Sequence, residues 1–187
     1  MRAEPKAEVI SLEMQHDDLE LLPTLEPELA ILVATLHDGA REWRENLESP
    51  SLDAIVWSPY PNGPSIGGVL LHVAAAERYW IQKVAAGIDI SLDDPAWAYD
   101  TTMDQYGPSW PVPPAEPIEW YFDIQDRTRA EMIDLIVAHN NRFTIYQHHD
   151  YTVTYGWIVA HIVQHDSYHG GQAVLLHEMF KKLMSAN

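Results

Sequence analysis

The chain has 187 residues, 47% of them apolar and 21% charged, with no cysteine. That length and balance suit one globular domain, and the missing cysteine excludes a disulfide scaffold, a Cys-ligated zinc site and a cysteine nucleophile. Eleven lysines and arginines against 28 aspartates and glutamates give a net charge of −17, a field that argues against nucleic acid and anionic membranes as partners.

Residues 1–15 mix charge with scattered apolar side chains and lack the apolar run of a targeting segment. The longest apolar stretch, residues 67–76, is interrupted by His72 and is far shorter than the roughly 20 residues that span a bilayer. The expectation is a cytoplasmic protein with a single domain over residues 1–187, of which 1–23 form a loosely ordered extension.

The first helical block runs from about Glu26 to Leu47. Pro27 suits a first helical turn, and Leu29, Ile31, Leu32, Leu36 and Trp43 recur at helical spacing. Arg41, Arg44 and Glu45 are left for solvent. The proline-rich segment 58–64 stops any helix. Ser65 caps the second block, about Ile66 to Ala86, and Gly87 ends it.

From Ile88 to Pro117 nothing is periodic, and six prolines interrupt the stretch. An irregular segment of this length serves as a lid or as a plug on the bundle end. Trp97, Tyr106 and Trp110 are its candidate pocket walls, and shortening it is expected to alter substrate affinity while sparing metal content. The third block spans about Ile118 to Ala138, with Arg127, Arg129 and Glu131 between its apolar positions. A short strand is suggested at 142–146. Thr152 is placed as the cap of the longest block, about Val153 to Met184. Four long amphipathic segments imply an all-α chain, a four-helix bundle with a long irregular insert between helices two and three.

The chemistry sits in the histidines. His161, His165 and His169 follow at i, i+4 steps on one helix face, about 5–6 Å between neighbouring Cβ atoms. Two imidazoles at that spacing can grip one metal ion. Three in a row cannot, because the ends lie about 12 Å apart along the axis. A stripe of hydrogen-bonded histidines is the plainer reading of such spacing. His72 shifts the balance: it lies in an apolar face beside Gly68, Ala75 and Ala76, which leave space, and Tyr79 one turn on can line that space. If helices two and four face each other, His72 supplies a third nitrogen. Three imidazoles without a fourth protein ligand make an open, catalytic type of site.

Residues 64–77, Pro-Ser-Ile-Gly-Gly-Val-Leu-Leu-His-Val-Ala-Ala-Ala-Glu, resemble the second helix of the DinB-like superfamily. Residues 165–172, His-Asp-Ser-Tyr-His-Gly-Gly-Gln, resemble its second hallmark, H-x-x-x-H followed by x-G-Q. The resemblance covers about Glu26 to Met184 and implies a four-helix bundle of up-down-down-up type. It maps the metal ligands onto His72, His165 and His169 and leaves His161 beside them, in a catalytic or pocket role. Family members commonly carry Arg where this chain has Gly170, so a counter-charge for an anionic substrate is expected to be missing there. Tyr168 and Gln172, three residues beyond His165 and His169, are the candidates to support the ligands.

Characterised relatives include metal-dependent transferases that use bacillithiol or mycothiol and a mycothiol-dependent maleylpyruvate isomerase. The resemblance therefore implies a thiol-dependent enzyme with a small-molecule substrate. A cysteine-free enzyme must borrow its sulfur nucleophile, which fits a low-molecular-weight thiol as co-substrate. A hydrolase on the same site and a metal-binding stress or scaffold protein are the alternatives. All-imidazole ligation suits a divalent metal, zinc or nickel first and iron next. Composition does not set the oligomeric state, although relatives are often homodimers.

Overall fold

The computed structural model describes residues 18–104 and 109–186. Residues 1–17, most of the expected N-terminal extension, and Tyr106 lie outside the described residues. The elements are α1 (Pro27–Leu47), α2 (Leu52–Val56), α3 (Ile66–Glu77), α4 (Pro95–Asp100), α5 (Ile118–Ala138) and α6 (Tyr155–Ser185). Between α5 and α6 lies a hairpin of β1 (Ile145–His148) and β2 (Tyr151–Thr154), paired antiparallel with Ile145 opposite Thr154. The chain is thus mostly helical.

Local chemistry sets the boundaries. Pro27 occupies the first turn of α1, and Ser65 Oγ accepts the Gly68 N–H at the start of α3. The cap of α6 is Thr154, which accepts the Trp157 N–H at 3.2 Å. Thr152 does not take that role because it is paired with Gln147 in the hairpin. Inside the expected irregular insert, Asp94 accepts the Trp97 N–H at 2.8 Å and starts the short α4.

The helix that begins as α3 does not end at Glu77. It continues through Arg78–Ala85 with π-helical winding, including an Ala86 N–H to Ile81 C=O bond of 3.0 Å. A π turn is wider than an α turn and is frequent at functional sites.

α3 is buried on nearly every side, from Ile66 to Ala75. A helix that is apolar all round belongs in the interior, and α3 packs against α4, α5 and α6. α1 lies along α6. One core cluster gathers Trp43, Leu47, Ile55, Leu70 and Tyr121, and a second gathers Leu29, Val33, Ile81, Met132 and Ile158.

The charges between the apolar positions are not all solvated. Arg129, which falls between the apolar positions of α5, is only 7% exposed. Its guanidinium pairs with Glu77 and, at 2.8 Å, with Asp166, both of which are buried. It also donates to the Leu36 carbonyl at 3.3 Å, and Trp43 Nε1 donates to the other Asp166 oxygen at 2.9 Å. This buried network ties α1, α3, α5 and α6 together. Burial pushes the Glu77 carboxyl up, against the pull of Arg129, while the two carboxylates hold Arg129 above its ordinary range. Arg44 is likewise drawn in, bonding Asp126 at 2.6 Å and Gln125 at 2.9 Å.

Candidate metal centre

Three imidazoles meet where α3 crosses α6. The ring centroids of His72, His165 and His169 form a triangle with sides of 4.4, 4.8 and 4.9 Å. One nitrogen from each ring lies within 4.8 Å of the others, so the trio can hold a metal ion. Helical spacing brings His165 and His169 onto one face of α6. The crossing with α3 adds His72, buried at 7% exposure.

The outer nitrogens are already engaged. Asp100 Oδ1 lies 2.7 Å from His72 Nδ1 and accepts its proton. That places the lone pair of His72 on Nε2, which lies 3.1 Å from Nε2 of His165. Nδ1 of His169 lies 2.7 Å from Gln172 Oε1, which again leaves Nε2 for the centre. Metal-binding histidines almost always carry such a partner on the second nitrogen, fixing tautomer and ring orientation. Burial, aided by the neighbouring imidazoles, pushes His165 down to about 2 and His169 to about 4. Both are therefore neutral near pH 7, the form that ligates. The donor set, all imidazole nitrogen, fits a borderline divalent metal such as zinc or nickel.

His161 is outside the trio. Its ring stacks on Trp157 (4.9 Å, 5° between planes), meets Trp80 edge-on and sits 5.9 Å from His165. Burial lowers its pKa. His72, His161 and His165 all border a cavity of about 750 Å³.

Of the candidate walls, Tyr79 and Trp97 line this cavity, their rings nearly parallel at 14°. Trp110 packs edge-on against His72 at 5.7 Å. Gln172 Oε1 lies 2.7 Å from His169 Nδ1. Tyr168 is 65% exposed and touches His169 only by a ring edge. The insert thus contributes Ala96 and Tyr99 to the core and Trp97 and Asp100 to the cavity lining, and the Tyr99 hydroxyl donates to the Pro111 carbonyl at 2.7 Å within it.

Two sequence expectations change. The small neighbours of His72 do not all leave space: a Cβ on Gly68 would lie 2.5 Å from Tyr99 Oη and 3.4 Å from the Trp110 ring, and Ala75 is buried in the core. Only Ala76 borders the cavity. Gly170 does not face it either. A Cβ there would run into the Trp43 ring, so this position packs α6 onto α1. A side chain at 170 would not reach a substrate without displacing that ring.

The sequence reading missed four contributors. Asp100 lies in an aperiodic segment 28 residues from its partner. His148 comes from the hairpin and bonds Tyr79 Oη at 3.0 Å. Trp80 and Trp157 read as ordinary apolar positions. The adjacent Tyr79 and Trp80 both reach the cavity, and both lie in the π-helical stretch.

A family model of the DinB superfamily matches residues 35–173, and the chain belongs to that superfamily. No curated protein matches the chain.

Proposed function

We propose that this DinB superfamily member is a metal-dependent enzyme with an open three-histidine centre, acting as a thiol-dependent S-transferase or a related thiol-dependent enzyme on a small molecule. The observation that carries the reading is the convergence of His72, His165 and His169, with His72 and His165 bordering the cavity. The wider topology in this reading is a four-helix bundle, up-down-down-up, built from α1, α3 with its π extension, α5 and α6. The packing of α1 on α6 and of α3 on α5 and α6 supports it.

His72, His165 and His169 would hold the metal. A divalent cation there supplies Lewis acidity, which lowers the pKa of a thiol or water at the open position. The chain's own residues do the rest. Asp100 and Gln172 hold two of the rings in the ligating tautomer. His161, kept neutral by burial, is the group assigned to accept the thiol proton. Tyr79, Trp80 and Trp157 wall the cavity beside the centre. The sulfur nucleophile comes from outside, because the chain contains no cysteine.

The test is elemental analysis of the purified protein joined to an assay with a model electrophile. Consumption should be faster with protein and a low-molecular-weight thiol together than with either alone. Equal turnover with and without thiol points to hydrolysis. Metal without turnover of any electrophile or ester points to a binding protein.

A further inference from the structure

The short helix α4 is fastened to the central helix at two points. At its C-terminal end, Asp100 Oδ1 accepts the His72 Nδ1 proton at 2.7 Å. At its N-terminal end, Asp94 Oδ2 lies 2.7 Å from Arg78 Nε, an ion pair in which both side chains are largely buried. Six residues separate His72 from Arg78 and six separate Asp94 from Asp100, so the two segments run antiparallel in matched register.

Asp94 serves both partners. Its Oδ1 accepts the Trp97 N–H at 2.8 Å and starts α4, while Oδ2 meets the guanidinium. Nη1 of Arg78 also donates to Glu131 at 2.8 Å and to Gln82 at 3.1 Å, and Gln82 donates to the Asp89 carbonyl at 3.0 Å. Arg78 therefore joins the π-helical stretch, α5 and the start of the insert. Its two carboxylate partners differ. The Glu131 side chain is 60% exposed and that of Asp94 only 15%. Exposed pairs contribute little, whereas removing one partner of a desolvated pair leaves a buried charge uncompensated. The Asp94 pair is the stronger tether.

Apolar packing alone does not set where α4 lies along its neighbour. Six residues are too few for a helix that is stable by itself, and Ala96 and Tyr99 seat α4 in the core. Such contacts are non-directional. The polar contacts at the two ends define the register. That register decides whether Asp100 meets Nδ1 of His72 and whether Trp97 lines the cavity.

We propose that Arg78 is a positioning residue of the histidine centre, acting through Asp94 to hold α4 where Asp100 orients His72. The zinc arm of its test rests on reading the trio as a metal centre, and the exchange arm does not.

The experiment uses the full chain, with zinc affinity measured by chelator competition and proton exchange followed on the chelated protein. Asp94→Asn removes the charge but keeps a good helix cap, and Arg78→Met removes the cation. Each should weaken zinc by roughly tenfold, the lower end of what loss of a ligand's hydrogen-bond partner gives. Neither should weaken it further in an Asp100→Ala background, because the effect runs through Asp100. Glu131→Gln removes the exposed partner of the same guanidinium and should leave zinc affinity unchanged. The Ala98 and Thr101 amides, which donate to the Asp94 and Trp97 carbonyls, should exchange roughly tenfold faster in Asp94→Asn, as should the His72 Nδ1 proton. Asp94→Asn carries the test even if Arg78→Met does not fold. Unchanged zinc affinity in Asp94→Asn, an equal loss with and without Asp100, or an equal loss in Glu131→Gln overturns the proposal. No zinc binding by the unsubstituted chain refutes the metal centre alone. The exchange arm then decides: faster exchange upholds the tether, and unchanged exchange overturns it whether or not zinc binds.

Discussion

Asp100 and His72 are 28 residues apart in the chain and 2.7 Å apart in the structure. One belongs to α4 in the proline-rich insert and the other to the central helix. The carboxylate accepts the Nδ1 proton, so the insert governs which nitrogen His72 presents to its neighbours. Asp100→Ala should therefore weaken metal binding by about 10- to 100-fold without abolishing it, as loss of such a partner does. Competition titration with a chelator of known affinity reads this directly. For the same reason, shortening the insert is expected to lower metal content as well as substrate affinity, a revision of the expectation that metal content would be spared.

The ligand assignment separates two sets of variants. His72→Ala, His165→Ala and His169→Ala should each strip the bound metal, as measured by elemental analysis after dialysis. His161→Ala should keep its metal and lose turnover, because its ring lies beyond the trio against Trp157. Metal lost from His161→Ala but kept by His169→Ala would shift the site by one helical turn.

Acid should destabilise the metal-free protein. His165 and His169 sit at about 2 and about 4 in the folded state, below the ordinary value of 6.5. The unfolded chain therefore binds more protons as the pH falls below about 6.5, and stability falls with it. The His169 contribution is lost by about pH 4, whereas that of His165 continues to decline toward pH 2. Glu77, with its raised carboxyl, acts in the opposite sense. Denaturant midpoints of chelated protein should drop between pH 7 and pH 5, and the drop should be smaller in His165→Ala. An equal drop in both proteins would refute the assignment.

Arg129→Met should cost about 3–5 kcal/mol, because it leaves the Glu77 and Asp166 carboxylates buried without their cation. Urea unfolding gives the number. Asp166 directly follows His165, so the residual folded protein should also hold metal less tightly.

Gly170→Ala tests the close approach of α6 to α1. Its Cβ has no room beside the Trp43 ring, and Trp43 is itself held by its bond to Asp166. Overpacking of this kind typically costs about 1–3 kcal/mol, which a thermal melt would show as a lowered midpoint.

The long helices were legible because their apolar residues repeat over many turns: the expected bounds 118–138 coincide with α5, and Ser65 announces α3. α2 and α4 escaped because five or six residues hold too little periodicity to register. His165 and His169 could be found from spacing on one helix, and His72 from its polar ring on an apolar face. Asp100 could not, since its partner is reached only through the fold. The burial of Arg129 was hidden for a related reason. A charge between apolar positions looks solvated until the carboxylates of two other helices are seen to close over it.

The π-helical stretch Arg78–Ala85 has a consequence for how the wall of the cavity can change. The stretch is the C-terminal end of its helix, capped at Ala86, so a change of length there leaves the α-helical turns before it in phase. Deleting one residue there would let the helix rewind as α, with His72 upstream undisturbed. The positions of Tyr79 and Trp80, which line the cavity from this stretch, would then change. Gain or loss of one codon in this stretch would therefore reshape the binding wall while the ligand histidines keep their places, with Ile81 and Ala85 of the same stretch having to repack in the core.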